Sequence, residues 1–273
     1  MTSHDVVHRV RRLLGIKRVG HSGTLDPMAE GVLSIYVGSA TKFIDLLKNS
    51  YKSYDVWFEY GKQSDTFDKM GIVHNVPLPE ISLSDFTQAA LSFLGHQYQI
   101  PPMYSAIKVA GKPLYRYARE GIELERAART IEITDLEVLE WDGRHGRIRL
   151  RCSKGTYIRS FVVDLAQRLG TVGIMTRLIR YENDFVPLDQ CVYLAEVTAA
   201  SVRPPDAFHP GPRVEISLSL LNRLIQGQDT VIPADETAER ILLMHQRCFA
   251  GTAKLSPRGY IREKIYHDIS PSE

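Results

Sequence analysis

Cysteine is scarce in this sequence. Its 273 residues contain three, Cys152, Cys191 and Cys248, at spacings that fit neither a zinc site nor a disulfide framework. They read as small buried hydrophobes in a reducing compartment. No apolar run is long enough to span a bilayer. The first residues carry no apolar signal region, so the expected location is the cytoplasm. A Gly-Lys-Ser/Thr loop opening a helix is missing, as is a dinucleotide-type glycine triplet after a strand, which argues against nucleotide-dependent chemistry. Internal repeats and low-complexity segments are absent too. Net charge is small, at +2, but it is unevenly spread. Residues 1 to 180 carry 25 Lys+Arg against 19 Asp+Glu, and the remaining residues 9 against 13. Arg9, Arg11, Arg12, Lys17 and Arg18 follow one another with no acid between them. Such a cluster can neutralise phosphates or simply form a solvated helix face.

What the sequence does have is concentrated between residues 19 and 42. Glycines at 20, 23 and 31 surround one carboxylate, Asp26, which immediately precedes Pro27. The proline ring pushes Asp26 toward an extended backbone, and Gly20 and Gly23 give the loop access to positive φ. Val32 to Gly38 then reads as a buried strand. Taken alone, Asp before Pro is an ordinary turn former. The full string is Gly-His-Ser-Gly-Thr-Leu-Asp-Pro-Met-Ala-x-Gly-Val-Leu, followed by Gly-x-Ala-Thr-Lys. It closely resembles the signature of the bacterial tRNA pseudouridine synthase B family, in which this aspartate is catalytic.

Further strings in the expected order extend the resemblance over most of residues 3 to 192. Lys52-x-Tyr54 leads to Gly61, Asp65, Thr66, Asp68 and Gly71, similar to a second family motif whose tyrosine lies against the target base. Asp65 and Asp68 are expected to set a loop rather than bind a metal. Pro101-Pro102-x-Tyr104-Ser105-Ala106-x-Lys108 matches a third. Ser153-Lys154-Gly155-Thr156-Tyr157-Ile158-Arg159-Ser160 matches a fourth, in which the tyrosine packs in the active site and the arginine pairs with the catalytic aspartate. Arginine suits that pairing, being a planar fork of permanent charge. Met175 to Tyr181 resembles the family's Leu-Arg-Arg segment, with Ile179 where a second arginine is usual; Leu178 is expected to wall the uracil pocket. Family chains normally begin with a strand and a Lys-Pro-x-Gly-x-Thr-Ser turn, of which Thr2-Ser3 matches only the end. Either the true start lies upstream or the protein lacks that strand and its lysine.

Between these strings the periodicity predicts a helix over residues 3 to 15 with Ser3 as N-cap, a short helix over 41 to 49, and a strand over 51 to 61. It also predicts a helix over 84 to 94, a strand over 105 to 109 and a helix carrying Tyr115, Arg116, Tyr117 and Arg119. Paired strands are expected at 130 to 141 and 146 to 152. In the second, Arg147, Arg149 and Arg151 share one face, as either wet surface or RNA contact. A helix follows from Ile158, facing the core with Phe161, Val162, Leu165 and Leu169. Residues 201 to 212 read as a linker. The tail carries a helix near 218 to 225 and strands near 240 to 244, 248 to 255 and 260 to 266, resembling the PUA-like RNA-binding domain that closes the family's chains.

The expected fold is α+β: a mixed, largely antiparallel sheet with flanking helices and a central cleft over residues 1 to 208, then a small β-rich PUA-like domain over 211 to 273. The resemblance implies conversion of uridine 55 in the tRNA T-loop to pseudouridine, without metal, nucleotide or redox cofactor. Asp26, Tyr54 and Arg159 are the implied catalytic residues. His21, Tyr157, Leu178 and Lys154 are the implied substrate contacts, tRNA is the partner, and the protein is expected to act as a monomer with no membrane association. An ionised carboxylate can act as nucleophile or stabilise charge on the ribose, and the target base must be flipped out of its stack. The alternative is a non-catalytic tRNA-binding or RNA-folding protein using the same surface.

Overall fold

The computed structural model describes residues 1–47 and 51–266. At its centre lies the strand Tyr51–Tyr60, whose run of aromatic and β-branched residues favours the pleated state. His145–Ser153 pairs antiparallel on one side of it and Gly173–Asn183 antiparallel on the other. Arg129–Trp141 and then Gly95–Gln99 extend the sheet beyond His145–Ser153, while Val186–Pro187 closes the opposite edge. All these pairings are antiparallel. The exception is Glu30–Gly31, which runs parallel to Gly173–Asn183 at Ile179 and Arg180. The architecture is thus α+β with a mixed, largely antiparallel sheet.

Strand parity separates the two faces of the sheet. Tyr54, Val56, Phe58 and Tyr60 meet Ile148, Leu150, Cys152, Met175 and Leu178 in the main core. Two helices cover that face. Leu83–Leu91 brings in Phe86 and Ala90, and Ile158–Arg168 brings in Ile158, Phe161, Val162 and Leu165. Trp141 stacks on Phe86 with ring centroids 4.2 Å apart, and its indole N–H is satisfied by the carbonyl of Ile81.

The opposite face carries the arginine stripe, and its charge is answered internally. Asp55 accepts from Arg149 Nε at 2.7 Å and from Arg147 Nη2 at 2.7 Å. Arg147 lies over Trp57, Arg149 over Tyr181 and Arg151 over Tyr51.

Beyond residue 212 a second, five-stranded sheet has its own core. Arg240–His245, Cys248–Ser256 and Gly259–Ile265 form an antiparallel meander flanked by Arg213–Glu215 and Val231–Ile232. The helix Leu218–Ile225 covers it with Leu221 and Leu224. A 3₁₀ helix, Gly38–Leu47, packs Phe43 and Leu46 against Leu242, Met244 and Phe249. No helix among the described residues is long and apolar enough to cross a membrane.

Several sequence expectations need correction. Thr2 rather than Ser3 caps the first helix, in a capping box with Asp5, because Ser3 turns its hydroxyl to the backbone of Leu25. The strand expected over 32 to 38 shrinks to Ser34–Val37 and is only half-buried, since Val32 turns away to bond its N–H to the carbonyl of Arg180. The helix over 84 to 94 spans Leu83–Leu91, capped by Ser82. The strand at 105 to 109 is reduced to Lys108–Val109. The helix over 41 to 49 is the 3₁₀ segment, with positions 48 and 49 outside the described residues.

Burial raises the Asp55 carboxyl, but the Arg149 and Arg147 hydrogen bonds outweigh it and hold the group below its ordinary value. A depressed folded-state value contributes stability above the unfolded value of about 3.9, and that contribution fades as pH falls through the folded one. Asp55→Asn is therefore expected to lower stability by about 1–3 kcal/mol at neutral pH, both arginines being partly solvated. In denaturant titrations the gap from wild type should narrow progressively as pH falls below the unfolded value of about 3.9, and a gap unchanged by acid would contradict the assignment.

Candidate active site

The loop from Gly23 to Val32 carries Asp26 and is fastened at several points. Its two glycines make this possible: Gly23 and Gly31 sit at φ +66 and +99, where a side chain strains the backbone. A Cβ on Gly31 would come within 2.1 Å of the Arg180 carbonyl oxygen, so this strand crossing admits only glycine. Near the start of the loop, Leu25 N–H donates to Ser3 Oγ at 2.9 Å. Asp26 follows in a turn closed by Ala29 N–H on its carbonyl.

Arg159 comes from the first turn of the Ile158–Arg168 helix, 133 residues further along. Its Nε donates to Asp26 Oδ2 and its Nη2 to Asp26 Oδ1, both at 2.8 Å. This is the two-pronged arrangement that gives an arginine–carboxylate pair its direction as well as its strength. The other donors are also used: Nη1 bonds the carbonyl of Thr66 and Nη2 that of Tyr104, each at 3.0 Å. The guanidinium side chain is 6% exposed while the Asp26 side chain is 28% exposed, so the arginine forms the floor and the carboxylate reaches toward solvent. Asp68 Oδ2 stands 3.8 Å from Arg159 Nε.

The loops that supply those carbonyls are themselves ordered by acids. Asp65 accepts from Ile72 N–H and the Tyr104 phenol; Asp68 accepts from Thr66 Oγ1 and Met70 N–H. Both carboxylates set the loop, as their spacing suggested.

Tyr54 lies in the core with Leu178, and Met28 and Ala29 of the Asp26 loop pack against that cluster. Burial pushes its phenol well above the ordinary value, with Arg180 opposing. Tyr157 precedes the helix, its backbone N–H and C=O held by the Gln99 side chain at 2.7 and 3.1 Å, and Arg129 lies 6.0 Å over its ring. Asp26, Arg159, Tyr54 and Leu178 thus converge, with Tyr157 two residues from Arg159. Half-buried on the Val19–Ser22 strand, His21 is shifted down by burial and then by Arg180. Lys154 is exposed in the turn before the helix. Neither bonds Asp26 among the described residues.

Sequence reasoning passed over Arg180. It is fully buried, with Nε on the carbonyl of Val32 at 2.8 Å and Nη2 on that of Gly23 at 2.9 Å. Strand parity would have found it, since Arg180 shares the inward face with Leu178. Lys52 stood out only as the first residue of the Lys-x-Tyr motif. It too is buried, and that burial lowers its ammonium value. A cavity of about 680 Å³ is lined by Asp26 together with Val6, Val10, Val32 and Ile35; Tyr54, Arg159 and Leu178 do not line it.

Residues 11–158 match the model of the TruB family pseudouridylate synthase, N-terminal domain. The chain belongs to that family. It is 41% identical over 232 residues to tRNA pseudouridine synthase B of Caldanaerobacter subterraneus subsp. tengcongensis, covering 84% of this chain and 81% of the relative. It is 39% identical over 241 residues to the protein of the same name from Aromatoleum aromaticum, covering 85% and 78%. A chain in the structure of an H/ACA RNP bound to a substrate RNA containing 2'-deoxyuridine superposes with a TM-score of 0.70 at 20% identity, covering 98% of this chain and 82% of that one. A chain of an archaeal box H/ACA sRNP complex gives 0.72 at 20% identity, covering 97% and 82%. At that identity the two structures speak for a shared fold. As a TruB-family pseudouridylate synthase, the protein is an isomerase.

Gly31→Ala tests how tightly the loop is seated on its neighbour. It is expected to cost roughly 1–3 kcal/mol from positive φ and, beyond that, the overlap with the Arg180 carbonyl. Gly143 sits at φ +96 with open space where a Cβ would stand. It supplies the control, because Gly143→Ala meets only the backbone strain. Equal losses in thermal melts would show the crossing to be looser than described.

Proposed function

We propose that the protein isomerises uridine 55 in the T-loop of tRNA to pseudouridine, with Asp26 as the catalytic carboxylate. The observation that carries this reading is the two-pronged Arg159 grip on Asp26, found on a member of a pseudouridylate synthase family. The names of the relatives support tRNA as the substrate.

In this reaction the C1′–N1 bond breaks, the uracil turns, and a C1′–C5 bond forms as C5 loses its proton and the freed N1 takes one up. A carboxylate held by a guanidinium from below keeps its outer edge free for the ribose or the base. From there it can attack carbon or stabilise positive charge on the sugar. Tyr54 supplies a flat face for the everted uracil and, kept protonated by burial, a hydroxyl near the shifting C5 proton. Leu178 and Tyr157 wall the base, while His21 and Lys154 take the RNA around it. The catalytic unit covers residues 1–208. Residues from 211 onward, with their separate sheet, form a PUA-like RNA-binding domain, and the protein acts as a monomer on the T-arm.

Purified protein incubated with T-loop RNA, followed by pseudouridine mapping, tests the reading directly. Asp26→Asn keeps the shape and is expected to abolish pseudouridine while leaving RNA affinity within about three-fold. Arg159→Lys, a point charge in place of a fork, is expected to slow single turnover by about 10²-fold or more with binding retained. Wild-type protein that binds tRNA but forms no pseudouridine would leave RNA binding or folding as the role.

A further inference from the structure

We propose that Arg180 is a positioning residue for the isomerisation: its buried guanidinium ties both ends of the Asp26 loop together and thereby sets where the carboxylate stands. The inference rests on the proposed role of Asp26.

The geometry is specific. Gly23 and Val32 flank Asp26, and their carbonyls accept from Nη2 and Nε of the same side chain at 2.9 and 2.8 Å. The backbone of Arg180 joins in, since its carbonyl accepts Val32 N–H at 2.8 Å and residues 179 and 180 pair with Glu30 and Gly31. One residue therefore closes the loop as a ring, and Arg159 grips the carboxylate on that ring from the other side.

Folding alone does not call for this arrangement. Arg180 has the largest side chain among the fully buried residues, and its two hydrogen bonds go to neutral carbonyls rather than to a carboxylate. Its third nitrogen, Nη1, is buried with no carbonyl or carboxylate on it. A buried cation with no carboxylate hydrogen-bonded to it is expensive, and an apolar side chain of similar size usually fills such a space at lower cost. The guanidinium also lies beside the Tyr54 phenol, whose upward shift it opposes. A single group thus sets both the loop that carries the acid and the ring that meets the base. Small displacements here are costly for rate, because reacting atoms need near-contact alignment.

Two variants separate positioning from plain structural support. Arg180→Lys keeps a charge but cannot reach both carbonyls with a fork. Gly23→Ala leaves Arg180 in place and pushes from the other side, a Cβ there standing 3.3 Å from Nη1 and 2.9 Å from Lys52 Cε. Each is assayed for single-turnover pseudouridine formation on T-loop RNA, for RNA affinity and for folded fraction. The expected result for both is a rate per folded molecule lowered by about 10²-fold, with affinity within about three-fold of wild type. Folded Gly23→Ala protein reacting at the wild-type rate overturns the proposal, even if Arg180→Lys does not fold. Affinity falling in step with rate overturns it as well. A wild-type protein that makes no pseudouridine is a different failure, that of the Asp26 reading itself.

Discussion

The clasp between Asp26 and Arg159 is the constraint on which the rest of the molecule depends. Alone, a carboxylate on a glycine-bracketed loop would sample many directions. A fork with two parallel hydrogen bonds removes that freedom, and the carbonyls of Thr66 and Tyr104 remove it from the fork in turn. Segments remote in sequence are thereby committed to one point. The large antiparallel sheet and its two helices serve to hold the ends of those segments still.

Two guanidiniums share the work in different ways. Arg159 addresses the side chain of Asp26 and sits just under the surface; Arg180 addresses the backbone around it and is fully enclosed. By contrast, the arginines of the outer sheet face are engaged by their own neighbours. Asp55, Trp57 and Tyr181 occupy them, leaving that face with less free charge than its composition suggests. Where a cation stands matters more here than how many there are.

Much of this was legible in the chain. Alternation in residues 54 to 60 and 146 to 152 identified the inward faces, and the Asp-Pro and Tyr-Ile-Arg strings pointed to the partners in the clasp through their family resemblance. What escaped was tied to register and to tertiary contacts. The partner of the arginine stripe is Asp55, set by the pairing of Arg149 with Asp55 across two strands, and one sequence does not print that pairing. Parity with Leu178 points Arg180 inward, but its partners are backbone carbonyls 148 and 157 residues away, which no local pattern announces. Short elements fared worst. Val32 looked like strand but bonds Arg180 instead, and only Lys108–Val109 remain of the strand anticipated around them.

The separation in sequence between the Asp26 loop and its anchors bears on synthesis. Gly23 meets Arg180 across 157 residues and Asp26 meets Arg159 across 133. Long-range closures of this kind form late. During synthesis the loop therefore stays unclasped until the chain has grown past residue 180, and an unfinished polypeptide holds Asp26 on an open tether.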